Sequence, residues 1–134
     1  MVIKFGIIGF GFMGHKHAEM LADLEWAQLA AVCDIDPTQM EDAVEGILRY
    51  DNADDMMANP DIDVVIISAN NNQHLSLICK AARAHKNIIC EKPVCLSISE
   101  LDEAIKVVNE FGVKFTVHQQ RRFDKDFLTT KEVL

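Results

Sequence analysis

The sequence predicts an α/β fold, a doubly wound and mostly parallel sheet flanked by helices. Three observations carry the prediction. Short runs rich in Ile and Val alternate with amphipathic stretches at helical spacing. The runs are almost continuously apolar, as expected of strands covered on both faces. The alternating order of the segments calls for right-handed crossovers between parallel strands.

The first strand is expected at 3–9 and the first helix at about 13–24, with Met13, His17, Met20, Leu21 and Leu24 on one face. A second strand at 29–34 leads to a helix beginning near Pro37, with Asp36 as N-cap and Pro37 in the first helical position. The stretch 50–55 has room for a short strand that the pattern does not define. A short acidic helix near 53–58, packed through Met56 and Met57, ends at Asn59-Pro60. A strand at 64–68, a helix at 73–85 and a strand at 87–90 follow. Ser97 with Glu100 forms a capping box for a helix whose stripe is Leu101, Ala104, Ile105, Val108 and Phe111, stopped by Gly112. The last strand is expected at 113–117, and 124–134 reads as the start of another helix.

A chain of 134 residues, 49% hydrophobic and 25% charged, suits one globular domain. Its net charge of −8 repels nucleic acid and anionic lipid, so neither is an expected partner. No apolar run approaches the roughly 18 residues of a membrane span, and no signal peptide is read at the N-terminus. Cys33, Cys79, Cys90 and Cys95 show neither redox nor zinc spacing and read as buried thiols, so a reducing, cytoplasmic location and no metal are expected.

Gly9-Phe10-Gly11-Phe12-Met13-Gly14 is a G-x-G-x-x-G placed between a strand and a helix, the context that the dinucleotide fingerprint requires. Gly9 allows the tight turn, Gly11 lets a pyrophosphate approach the backbone, and Gly14 lets helix and strand pack closely. The pyrophosphate is expected on the helix N-terminus. Asp34 stands twenty residues beyond Gly14, placed to bind adenosine ribose hydroxyls. Neither Ile35 nor Asp36 supplies a cation for an extra phosphate, so NAD is favoured over NADP. The competing reading of Asp34 is a cap for the next turn.

Other polar residues fall at strand ends, where ligands of parallel sheets bind. Asn70, Asn71, Asn72 and Gln73 could bind a cofactor or cap the next helix, and His74 could pack or act chemically. Lys92, in Glu91-Lys92-Pro93, could donate to a substrate oxygen, with Pro93 fixing the backbone. Arg121 and Arg122 could form surface ion pairs or hold an anion. His15, His17 and His85 are read as structural.

In this order, the glycine turn, the amide-rich loop ending in His74, the Glu91-Lys92-Pro93 element and Arg121-Arg122-Phe123-Asp124 resemble the glucose–fructose oxidoreductase/inositol dehydrogenase (Gfo/Idh/MocA) family. The resemblance covers essentially the whole chain, and 121–134 is similar to the branch of inositol and sugar dehydrogenases. It implies an NAD(P)-binding Rossmann domain at 1–122, with 123–134 beginning the helix toward a second, substrate-binding domain that is missing here. It implies that Lys92 contacts the hydroxyl being oxidised, and that Glu91 and Pro93 place the nicotinamide end. Asn70, Asn71 and His74 line the cofactor loop, although members usually carry Pro at the position of Asn70. The implied reaction passes a hydride between a sugar or cyclitol carbon and the nicotinamide. The fragment alone is expected to turn over poorly. An alternative is a stand-alone NAD-binding module without catalysis, and a weaker one is a domain for S-adenosylmethionine. Phe123, Phe127, Leu128, Val133 and Leu134 are expected to leave an apolar face through which copies could associate.

Overall fold

The computed structural model describes residues 2–134. Six strands, β1 (Ile3–Ile8), β2 (Ala27–Cys33), β3 (Leu48–Tyr50), β4 (Val64–Ile67), β5 (Asn87–Cys90) and β6 (Phe115–Val117), form one sheet in the order β3-β2-β1-β4-β5-β6. Every pairing is parallel. The α-helices are α1 (Phe12–Ala22), α2 (Ala53–Ala58), α3 (His74–Arg83), α4 (Ile98–Phe111) and α5 (Lys125–Val133).

The continuous apolar runs have the expected cause. In β4, Val65 and Ile67 join one core cluster, with α2, α3 and α4, while Ile66 joins a second cluster with α1. Alternate side chains thus enter different cores, and both faces must be apolar. In β1, Gly6 meets Met56 so closely that an added Cβ would lie 3.0 Å from the Met56 methyl carbon.

Caps set the helix ends. The Glu100 N–H donates to Ser97 Oγ at 3.2 Å, and Gly112 adopts φ +66 to close α4. The stripe of α4 shifts from expectation: Val107 is buried with Ala104 and Val108, whereas Ile105 is exposed. On α1, Gly14, His17 and Leu21 are buried while Met20 is exposed.

The helix expected from Pro37 is only a 3-10 turn, Pro37–Met40. Asp36 caps it as expected, accepting from Thr38 N–H at 3.0 Å. The pattern then breaks because only Met40 and Ala43 are buried before β3, with Ile47 partly buried against the same core. β3 itself begins before the stretch 50–55 that had room for a strand and overlaps it only at Tyr50. Its side chains are mostly exposed, and pairing with β2 defines it: Ala31 with Leu48 and Cys33 with Tyr50. Among the described residues, no helix is long and apolar enough to cross a membrane.

Candidate functional site

The strand order reverses between β1 and β4, and ligands of open parallel sheets bind beyond the carboxyl ends at such a point. A cleft of about 210 Å³ opens there. Gly9 and Gly11 after β1, Asp34 and Ile35 after β2, and Ser68, Ala69 and Asn70 after β4 line it.

The three glycines differ physically. Gly9 has φ +85, and an added Cβ would lie 2.5 Å from the Ala69 backbone nitrogen. At Gly14 an added Cβ would lie 2.4 Å from the Gly9 carbonyl oxygen, so this glycine seats α1 on the turn. Gly11 is unlike both. Its φ is −79, and an added Cβ would meet only Gln39 Oε1, at 3.8 Å. The protein's own packing leaves that space open and gives no reason of its own for a missing side chain there.

No side chain caps α1 at Gly11, and the first helical bond runs from His15 N–H to Gly11 O at 3.0 Å. The amides of Phe12, Met13 and Gly14 therefore have no partner within the helix and carry the positive end of its dipole. Phe12 is exposed and Met13 half-buried, so their backbone is approachable. Phe10, within the same turn, faces inward. Its ring is buried, and its N–H already donates to Asp34 Oδ2 at 2.8 Å, so it shapes the turn from within.

Asp34 takes the turn-capping role foreseen for it and adds one that the sequence did not show. Oδ1 accepts from Asp36 N–H at 2.9 Å, an ordinary turn contact, and Oδ2 fixes the glycine turn. Each carboxylate oxygen can accept more than one bond, so capacity remains toward the cleft. Ile35 is 83% exposed beside it, an apolar surface suited to a flat ring.

The amide loop forms a 3-10 turn, Asn71–Gln73, with Asn70 as its cap residue. The side chains of Asn70 and Gln73 make no cap bond, and Asn71 is exposed. His74 does not face solvent. It is fully buried, with Nδ1 at 2.9 Å from Pro93 O and Nε2 at 3.0 Å from Ala69 O. It ties the loop after β4 to the loop after β5 and is a positioning residue.

Glu91 is likewise turned inward, while Lys92 and Pro93 are exposed at the sheet's carboxyl rim. The Lys92–Pro93 peptide bond is cis. Oε1 of Glu91 accepts from His17 Nε2 at 2.8 Å and from His118 Nδ1 at 2.7 Å. Burial opposes the Glu91 charge most strongly, but the bonds from His118 and His17 outweigh it and hold the carboxyl below its usual range. Burial pushes the His17 imidazole down despite its bond to Glu91. A carboxylate that accepts a bond from a neutral His17 ring accounts for both directions.

His118 carried no assigned role in the sequence, and His17 was read as merely structural. Their only signal was position, His118 just past a strand and His17 on the buried stripe of α1. Sequence separations of 74 and 27 residues from Glu91 hide the cluster. Ligand atoms of His17, Glu91 and His118 lie within 4.8 Å of one another, a set able to hold a metal ion. Hydrogen bonds already satisfy those nitrogens.

Arg121 and Arg122 lie in the 3-10 turn Gln120–Phe123, exposed. Arg121 pairs with Asp124 at 3.5 Å and Arg122 lies over the Phe127 ring at 6.0 Å. Cys33, Cys79 and Cys90 are buried and Cys95 is half-buried, all as free thiols. Burial pushes Cys33 and Cys90 up to about 12.

Strand order, glycine turn and strand-end carboxylate define a dinucleotide-binding Rossmann domain. Residues 3–119 match the oxidoreductase family described as an NAD-binding Rossmann fold, and the chain belongs to that Gfo/Idh/MocA family. It is 35% identical to the inositol 2-dehydrogenase of Rhizobium meliloti, over 100% of this chain and 41% of that protein. It is 30% identical to the myo-inositol 2-dehydrogenase of Thermotoga maritima, over 98% of this chain and 40% of that protein. The scyllo-inositol dehydrogenase of Lactobacillus casei, solved with NAD(H) and scyllo-inositol, superposes with a TM-score of 0.91 at 31% identity. That match covers 99% of this chain and 41% of the other. The chain thus spans about two fifths of the length of these relatives.

Proposed function

We propose that the chain is the cofactor-binding part of an NAD-dependent dehydrogenase that moves a hydride between a hydroxyl-bearing carbon of a sugar or cyclitol and the nicotinamide ring. The observation that carries the reading is the space at Gly11, open to a ligand although the helix beside it presents unpartnered amides. The inositol dehydrogenases among its relatives support the substrate class.

In this reading the amides of Phe12, Met13 and Gly14 hold the pyrophosphate. Asp34 accepts from the ribose hydroxyls and Ile35 lies against the adenine. The carboxylate would repel the additional phosphate of NADP, which favours NAD. Asn70 and Asn71 bond the cofactor along the β4 loop, and Pro93 bounds the nicotinamide end. When bound, the nicotinamide supplies the hydride acceptor. The Lys92 ammonium, on its fixed backbone, bonds the substrate oxygen and orients the carbon that gives up the hydride.

The cofactor unit spans 1–122, and 123–134 leads toward a substrate-binding part. Phe123, Phe127, Leu128, Val133 and Leu134 are all exposed, an apolar face suited to that part or to a second copy.

Titration of this chain with NADH, followed by calorimetry, tests the reading. Micromolar binding is expected, with NADPH weaker and Gly11→Val abolishing it without lowering the melting temperature. Failure of the parent chain to bind any dinucleotide would refute the proposal.

A further inference from the structure

Glu91 joins three elements at one point. His17 comes from the second turn of α1, whose first turn borders the cleft, and His118 follows β6. Both rings bond the same oxygen, Oε1, and lie 4.8 Å apart between centroids. The other oxygen, Oε2, accepts the Lys92 N–H at 3.3 Å. Both side-chain oxygens of this buried carboxylate are thus committed, and its rotation would break bonds to two elements at once. Immediately after Lys92, the Pro93 carbonyl lies 2.9 Å from Nδ1 of the fully buried His74. Lys92 therefore has an exposed side chain on a backbone anchored on both sides.

We propose that His17, Glu91 and His118 form a positioning clamp that holds Lys92 in register with the first turn of α1. The consequence rests on the reading of Lys92 as the substrate-contacting group, but the clamp itself is a statement about this chain's backbone. A cluster that served stability alone would raise opening everywhere when damaged. A clamp predicts a local effect, because buried polar networks fix the geometry of whatever they bond.

The test uses the intact chain with Glu91→Gln, which is close in shape but gives up the charge that both rings bond. Amide hydrogen exchange is read at Lys92, with Ile66 and Ile67 of β4 as the reference for global opening. Imidazole nitrogen shifts are read at His17 and His118. Exchange at Lys92 should rise about tenfold or more while β4 changes by less than about twofold, and both ring signals should move. His118→Gln, at the half-exposed arm, should give a smaller rise at the same amide. Unchanged exchange at Lys92 in both variants overturns the clamp, as does a rise of equal size at Lys92 and in β4. Should Lys92 prove irrelevant to turnover, the exchange data would be unaffected, and only the catalytic reading would fall.

Discussion

The Asp34 carboxylate accepts the backbone N–H of Phe10 at 2.8 Å, so the residue that ends β2 also fixes the glycine turn that follows β1. Turn shape and, in the proposed function, ribose recognition therefore depend on one side chain. Asp34→Asn retains an oxygen for Phe10 and should keep the fold within about 1 kcal/mol of the parent. It should weaken NADH binding about tenfold and narrow the gap to NADPH, because a charged acceptor is worth roughly 1.5–3 kcal/mol. Paired NADH and NADPH titrations check this, and an unchanged ratio would remove Asp34 from ribose recognition.

The glycines should separate into two classes. Gly9→Ala meets the Ala69 backbone at 2.5 Å and is forced to a positive φ, so it should lower stability by about 2 kcal/mol or more. Gly11→Ala has room in the protein and should melt like the parent while losing NADH affinity at least about tenfold. Denaturation curves and calorimetry on both variants decide the point. Equal loss of stability would contradict it.

Stability should fall with acid. The folded state lowers the proton affinity of both His17 and Glu91, so the unfolded chain binds more protons as pH drops. The loss begins below the ordinary histidine value of 6.5 for His17, and below 4.5 for Glu91. His15 acts in the opposite sense. Its bond to Asp42 raises it, giving stability below 6.5 that is lost as pH rises through the folded value. That pair is solvated and weak. Urea midpoints should therefore decline from about pH 7.5 to about pH 5, and a flat profile would contradict the assigned charge states.

Lys86 is buried, and its ammonium donates to Asn59 O at 2.7 Å and Ile62 O at 2.8 Å. Burial lowers its proton affinity, against the pull of Asp63 and Asp61. Lys86→Met strands the Ile62 carbonyl oxygen, leaves Asn59 O with only the Ile62 N–H at 3.3 Å, and should cost about 1–3 kcal/mol in a urea melt. NADH binding should persist, because Lys86 precedes β5 at the rim opposite the cleft.

Lys92→Met should leave both melting temperature and NADH affinity nearly unchanged, since the side chain is exposed. In a chain that carries the substrate-binding part, the same change should reduce turnover about a hundredfold or more. Wild-type rates there would dismiss Lys92 as the substrate donor.

Much of this was readable from local pattern. Strands with two buried faces are written as unbroken apolar runs, and Ser97, Glu100 and Gly112 mark the ends of α4 in their own chemistry. β3 was not readable in place, because its identity comes from β2 beside it rather than from burial of Leu48 or Arg49. The same holds within the site. Gly9, Gly11 and Gly14 are adjacent in sequence, so their spacing speaks for itself. The bond between His17 and Glu91 exists only once α1 has packed on the sheet, and nothing local to either residue announces it.

The backbone of Lys4 and the carboxylate of Asp63 meet at 2.8 Å on the amino rim, near Lys86 and its carbonyl partners. These contacts lie away from the cleft lined by Gly9, Gly11 and Asp34 at the other end. Substitutions that retune ligand preference can accumulate at one margin without eroding foldability at the opposite one. A designer seeking altered specificity can therefore vary the exposed positions of the crown at the cleft, Phe12, Ile35, Asn70 and Asn71, while keeping Gly9, Gly14, Asp34 and His74, which hold it together.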